Sequence, residues 1–243
     1  MSAFTERWLP ASSRVAAVAA GGLAATGTYW AYTRGGKDFD VFHEACRLAL
    51  NGWGTEVYRA TPDRFLYAPG FAYVFAPLGA LAKPAALAVW CLVKALGLGL
   101  VIRRLAEKLR SGFSRPLASL IACAGALLLA KPILIDFQYG QINLFLVSIA
   151  TLCLISHFDR DPKPVVSVLL WFSLAVLAIT KVFLIPLLAI PWMVTRGLSK
   201  SKLKAERVGV IVGALVVVFL PFAFEGIQGG VSLYSSWRQA VVA

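Results

Sequence analysis

The sequence has few charged residues, few histidines and no cysteine motif, and each scarcity excludes a class of protein. Asp, Glu, Lys and Arg together make up 15% of the 243 residues, whereas 59% are hydrophobic. Soluble domains seldom have this composition, so it predicts a multi-spanning membrane protein. The two histidines, His43 and His157, lie far apart and no C-x-x-C occurs, so no metal site is predicted. The four cysteines lie on apolar faces or segments and form no disulfide framework.

Basic residues outnumber acidic ones by 24 to 12, but they are dispersed between long apolar runs. No basic face interleaved with aromatic residues is visible, so nucleic-acid binding is not predicted. Loops that face the cytoplasm explain the excess better, because Lys and Arg are enriched on that side of membrane proteins.

Seven apolar runs predict membrane spans: 15–33, 84–102, 116–130, 144–156, 165–180, 182–194 and 208–222. With a cytoplasmic N-terminus, the inside segments hold 14 basic and 5 acidic residues, and the outside segments hold 9 and 7. This asymmetry predicts an all-α, polytopic helix bundle of about seven spans in the inner (plasma) membrane, with residues 1–243 as one domain. The first run is open to another reading, a cleaved signal peptide.

The longest polar interval, residues 35–83, is predicted to be an extracytoplasmic loop that carries the chemistry. Residues 35–78 hold five of the twelve acidic side chains. From Asp40 to Asn51 the polar residues recur at helical spacing, which predicts an amphipathic helix lying along the membrane surface. Residues 67–81 are predicted to form a juxtamembrane helix, since a span there would move a basic cluster outside.

Asp38 stands at the entry to this helix, and two roles are open for it. As an N-cap it would accept hydrogen bonds from backbone N–H groups; as a general base it would deprotonate an incoming hydroxyl. The two roles can coexist. Asp40 lies on the polar helix face, where solvation is the simpler interpretation. Arg59 and Arg64 could meet a phosphate, although surface charges usually contribute little.

Two further polar features are predicted on the outer face. Gln138, Gln141 and Asn143 bracket Gly140 at a helix hairpin, where they serve as turn and capping residues or bind a sugar or phosphate. Lys181 interrupts about thirty apolar residues, so a break in the helix is predicted near it. Its ammonium either snorkels to the interface or holds a lipid phosphate and stabilises its negative charge as it departs.

The outer loop resembles that of a known family in an ordered set of residues: Asp38-Phe39-Asp40-Val41-Phe42, Ala45, Gly52, Tyr58 and Tyr67-Ala68-Pro69. These are similar to the first outer loop of glycosyltransferase family 87. Gly140-Gln141-Ile142-Asn143 resembles the Gly-Gln-x-Asn hairpin of that family, and Lys181 with Pro186 resembles its Lys-x-x-Pro helix start. The similarity extends from about Asp38 to Arg196.

This resemblance implies a membrane glycosyltransferase of the C-type fold that uses polyprenyl-phosphate-mannose. The donor would be a polyprenyl-phosphate-linked sugar and the acceptor a glycan or glycolipid hydroxyl, at the extracytoplasmic side of the lipid bilayer. Asp38 would act as the general base of an inverting transfer that needs no cofactor and no metal. The residues expected to bind donor or substrate are Asp40, Arg64, Tyr67, Gln141, Asn143 and Lys181.

Other interpretations stay open at this point. Members of the family are commonly longer, so the chain could be a fragment, a truncated product or a short divergent member. It could also be a non-catalytic partner of a membrane glycosyltransferase, or a transporter, in which broken helices carry the substrate site. Lys94, inside a predicted span, either snorkels or pairs within the bundle, and a transporter should be the more sensitive to its substitution.

Overall fold

The computed structural model describes residues 18, 21–60, 65–110, 112–114, 117, 118, 121, 124, 125, 128–159 and 163–242. Every regular element in these ranges is helical and none is a strand, which confirms the all-α prediction. The chain divides into two compact units, one of Met1–Gly36 and Leu87–Ile155, the other of Lys37–Ala86 and Ser156–Ala243. The single membrane domain stays a prediction.

The helices in chain order are α1 (21–34), α2 (Lys37–Leu50), α3 (Val57–Ala60), α4 (Pro69–Val74), α5 (Ala76–Gly79), α6 (Lys83–Leu109), α7 (Ala130–Tyr139), α8 (Asn143–Phe158), α9 (Pro164–Thr180), α10 (Ile190–Met193) and α11 (Lys200–Val242). Two 3₁₀ segments, Gly54–Glu56 and Val182–Ala189, complete the described elements.

Two of these helices, α6 and α11, are long and apolar enough to cross a membrane. They contain the predicted spans 84–102 and 208–222. The runs 144–156 and 165–180 form the shorter apolar helices α8 and α9. Seven of the fifteen residues of 116–130, and residues 15–17, 19 and 20 of the first run, lie outside the described residues. The count of seven spans and the cytoplasmic N-terminus stay predictions.

Helix α2 is the predicted amphipathic helix, and protein covers its apolar face. The buried residues are Phe39, Val41, Phe42, Ala45, Cys46, Leu48 and Ala49. α4 and α5 pack on this face, and Gly79 of α5 lies so close to the backbone of Arg47 that a Cβ would clash. The predicted juxtamembrane segment 67–81 is therefore two short helices folded over α2, and the bilayer is not what covers that face.

The predicted break near Lys181 is confirmed. Lys181 has extended backbone angles, φ −130° and ψ 93°, and α9 ends before it. Pro186 lies within the 3₁₀ segment that follows and Pro191 is in the first turn of α10. Proline lacks the N–H that a continuous α-helix needs, so Pro186 and Pro191 favour the break.

Helix α11 reverses direction at Gly226, whose φ of 69° and ψ of 178° an L-residue rarely adopts. The Tyr234 hydroxyl donates to the Val218 carbonyl at 3.0 Å. In a straight helix residues sixteen apart would be separated by about 24 Å, so the second arm folds back along the first. Gly230 lies against the Phe222 ring without space for a Cβ. Residues 227–242 therefore form an arm that returns along the first part of α11.

Candidate functional site

The first turn of α2 carries two carboxylates in different surroundings. Because the helix begins at Lys37, Asp38 lies within its first turn and is half-buried. No described residue bonds to its carboxylate, and the positive end of the helix dipole favours a negative charge there. Asp40 instead pairs with Lys83, with Nζ 2.7 Å from Oδ1. The Asp40 side chain is still 34% exposed, so it is partly solvated as well as paired.

Tyr67 connects Lys181 to the aromatic residues that cover α2. The Lys181 ammonium lies 5.6 Å from the centroid of the Tyr67 ring, within the range of a cation–π interaction. The Tyr67 ring packs edge-on against Phe42 at 4.9 Å and stacks on Phe71 at 5.0 Å. Tyr58 donates its hydroxyl to the Tyr67 carbonyl at 2.7 Å. Two predicted donor-binding residues, Tyr67 and Lys181, thus meet.

Glu225 is an acidic residue that sequence reasoning missed. Its Oε1 accepts hydrogen bonds from the Tyr73 hydroxyl at 2.6 Å and from Gly54 N at 3.2 Å, which ties α11 to the loop before α3. Burial and the hydrogen bond to Glu225 raise the pKa of Tyr73, so its phenol stays protonated as the donor. The signal in the sequence was a lone acid next to a glycine, Gly226, at the end of a long apolar run.

The turn between α7 and α8 contains two more predicted residues. Gly140 ends α7 with φ 69°, and the amides of Gly140 and Gln141 donate to the carbonyls of Phe137 and Asp136. This is the left-handed helix end that glycine favours, so the predicted turn chemistry is confirmed. Asn143 begins α8, and its Nδ2 donates to Gln141 Oε1 at 2.9 Å. Residues 131–139, predicted as part of a connection, are helix.

A buried ion pair lies against this turn. Lys94 Nζ is 2.5 Å from Asp136 Oδ1, and the two side chains are 1% and 6% exposed. The same ammonium donates to the carbonyls of Asp136 and Gln141 at 2.8 and 3.0 Å. Asp136 Oδ2 accepts from Leu144 N at 2.9 Å, and Trp90 Nε1 donates to the Gly140 carbonyl at 2.9 Å. Lys94 therefore pairs within the protein, with a partner that was not predicted.

A second buried cluster joins the ends of α8 and α10 to the start of α11. His157 Nδ1 lies 2.8 Å from Glu206 Oε2, and His157 Nε2 donates to the Val194 carbonyl at 3.0 Å. Lys202 Nζ donates to the carbonyls of His157 and Asp159, both at 2.5 Å. His157 and Glu206 are 0% exposed and Lys202 is 4% exposed. Such a cluster braces the backbone and presents no ionisable group to a substrate.

The predicted site residues divide between the two units. Asp38, Asp40, Tyr67 and Lys181 lie in one, and Gln141 and Asn143 lie in the other. Arg64 lies outside the described residues.

Comparison with known proteins supplies one match. Residues 65–242, well over half of the chain, match the family model of glycosyltransferase family 87. No curated protein and no solved structure matches the chain.

Proposed function

The chain belongs to glycosyltransferase family 87, and from that membership we propose that it transfers mannose from a polyprenyl-phosphate donor to a hydroxyl of a glycan or glycolipid. The family makes it a membrane glycosyltransferase with a sugar donor and an acceptor. The two long apolar helices α6 and α11 agree with a membrane setting. We place the reaction at the extracytoplasmic face of the inner membrane, as the distribution of Lys and Arg suggests.

The proposal rests chiefly on the contrast between the two carboxylates in the first turn of α2. A general base needs an oxygen that can accept a proton from the substrate. The carboxylate of Asp38 has no described partner, whereas that of Asp40 is held by Lys83. Asp38 is therefore the base we propose, and Asp40 serves to anchor α2 to the start of α6.

In the proposed reaction Asp38 takes the proton of the acceptor hydroxyl as its oxygen bonds to the anomeric carbon. The bond from that carbon to the phosphate oxygen breaks, and the polyprenyl phosphate leaves with the electron pair. Attack from the opposite face inverts the anomeric carbon, so a β-linked donor gives an α-linked product. Lys181, held over the Tyr67 ring, supplies a cation for the charge that develops on the departing phosphate.

A transfer assay tests the proposed base. The purified protein in lipid receives polyprenyl-phosphate-mannose and a mixed glycolipid acceptor pool. We expect Asp38→Asn to lower kcat/KM by a factor of about 100 or more, because general bases contribute on that scale. Asp40→Asn is the matched control, the same change two residues away, and should lower it by less than about tenfold.

Three other results would change the conclusion. Equal transfer by the wild type and Asp38→Asn would remove Asp38 from the mechanism. Transfer from a different hexosyl donor but not from the mannosyl lipid would show that the transferred sugar is not mannose. No transfer by any folded variant would favour the alternative, a fragment or non-catalytic partner of a membrane glycosyltransferase.

A further inference from the structure

The turn between α7 and α8 lies level with the middle of α6. Its carbonyls bond to Trp90 and Lys94, and Lys94 is about 16 Å along the helix from Lys83. Lys94 is also close to the centre of the apolar stretch 84–102. Where non-helical backbone lies against a long apolar helix, either protein buries it or it lines a polar cavity, and broken helices of this kind often carry ligand sites.

The two charges beside the turn each complement a helix end. The negative end of the α7 dipole points at the turn, and Lys94 donates there to the carbonyls of Asp136 and Gln141. The positive end of α8 faces the turn from the other side, where Asp136 Oδ2 accepts from Leu144 N. Because Lys94 and Asp136 also pair with each other, the turn has no net charge.

This arrangement disfavours an anion at the turn. The N-terminus of a helix is a ready position for a phosphate, but the Asp136 carboxylate already occupies that position on α8. A phosphate would meet the same carboxylate at close range, and like charges repel strongly where water is excluded. Lys94 offers no compensation, because it is 1% exposed and bonded to Asp136 and Gln141.

The side-chain amide of Gln141 is suited to a neutral ligand. Gln141 and Asn143 are half-buried, and their side chains bond to each other through Asn143 Nδ2 and Gln141 Oε1. This bond fixes the Gln141 amide and leaves its Nε2 without a partner among the described residues. An amide NH₂ group is a donor to a hydroxyl oxygen and carries no charge.

We propose that the Gly140–Asn143 turn binds the uncharged hydroxyl groups of a sugar, and that Lys94 and Asp136 are positioning residues that hold its amides. The proposal rests on the proposed function only in taking the sugar to be the hexose of a polyprenyl-phosphate donor. It assigns the sugar, and not the phosphate, to this turn.

Two ligands that differ only in the sugar test the assignment: polyprenyl-phosphate-mannose and bare polyprenyl phosphate of the same chain length. Their Kd values are measured by titration calorimetry on full-length protein in bilayer nanodiscs. In Gln141→Ala, and in the double variant Lys94→Met with Asp136→Leu, we expect the Kd of the mannosyl lipid to rise at least tenfold. The Kd of the bare phosphate should stay within twofold. Lys131→Met, the same change at an exposed lysine of α7, should alter neither.

Hydrogen exchange separates positioning from a purely structural role. In the double variant we expect faster exchange of the Gln141 and Leu144 amides while the Tm stays near that of the wild type. Unchanged exchange together with unchanged Kd values would overturn the role of Lys94 and Asp136. If the double variant does not fold, Gln141→Ala decides the binding question alone, since the ion pair bonds to the Gln141 backbone and not to its side chain.

Failure of this proposal differs from failure of the proposed function. Equal weakening of both lipids in Gln141→Ala would assign the phosphate to the turn and overturn the proposal. If the wild type binds neither lipid, the proposed donor is wrong, and soluble methyl hexosides become the probe. Hexoside binding that Gln141→Ala weakens would then support the site, whereas binding that it leaves unchanged, or no hexoside binding, would refute it.

Discussion

The two buried charge clusters brace broken helices in the same way but leave different groups at their edges. At the α7–α8 turn, Lys94 bonds to the Gln141 carbonyl and Asp136 to the Leu144 amide, beside the half-buried side chains of Gln141 and Asn143. In the cluster of His157, Glu206 and Lys202, the side chains bond to one another and to backbone carbonyls, and all three are buried. Buried charge therefore marks where the backbone is irregular. A binding site also needs a polar group that a ligand can reach.

The largest effect should follow from His157→Leu. This change leaves Glu206 buried without its partner, and Glu206 Oε1 already accepts no hydrogen bond from a described residue. We expect the free energy of unfolding to fall by about 3 kcal/mol, because a buried carboxyl group left without its partner carries the full cost of its desolvation. Chemical denaturation in detergent measures it.

His43→Leu is the matched control, because His43 is half-buried and bonds, among the described residues, to the Leu81 carbonyl. It should cost about 1 kcal/mol, the typical contribution of one hydrogen bond. If both histidine variants lose the same stability, the His157 cluster is not the brace that its geometry suggests.

Alanine substitutions at two glycines should have smaller effects on stability. Gly140 at the α7–α8 turn and Gly197 in the loop before α11 have φ of 69° and 80°. Alanine at either position should cost about 1–2 kcal/mol, because a Cβ strains the left-handed conformation. Only Gly140→Ala should also weaken binding of the mannosyl lipid, which titration of both variants would reveal. If Gly197→Ala weakens binding of the mannosyl lipid equally, backbone strain far from the turn is enough to impair binding.

The smallest effect is expected when both members of a pair become apolar. His157→Leu with Glu206→Leu removes both partners of the buried side-chain bond together, and such replacements can be nearly neutral or stabilising. We expect stability within about 1 kcal/mol of the wild type and unchanged binding of both lipids. If this double variant raises the Kd of the mannosyl lipid as much as Lys94→Met with Asp136→Leu does, the two clusters do not differ in their link to binding.

The local elements were predictable because short-range patterns determine them. The helical period from Asp40 to Asn51 predicted α2, and the seven apolar residues buried on it are consistent with that period. An apolar stretch predicted α6, and Lys181 with Pro186 predicted the break after α9. In each case the signal lies within the element itself.

The partners of the charged residues were not predictable, because tertiary packing chooses them. Lys94 and Asp136 lie 42 residues apart, and His157 and Glu206 lie 49 apart. The available signal was ionisable residues of opposite sign inside apolar runs, where each needs a partner. Of the proposed site, the sequence predicted that Tyr67 and Lys181 matter, but not that they touch.

Trp90 gives the α7–α8 turn an optical reporter of its own. The indole is 4% exposed, and its N–H bonds to the Gly140 carbonyl, so its emission is sensitive to the position of the turn. The chain has seven tryptophans, and the spectrum of a Trp90→Phe variant isolates the contribution of this one. A ligand that moves the turn would shift the tryptophan emission maximum, so no attached label is needed.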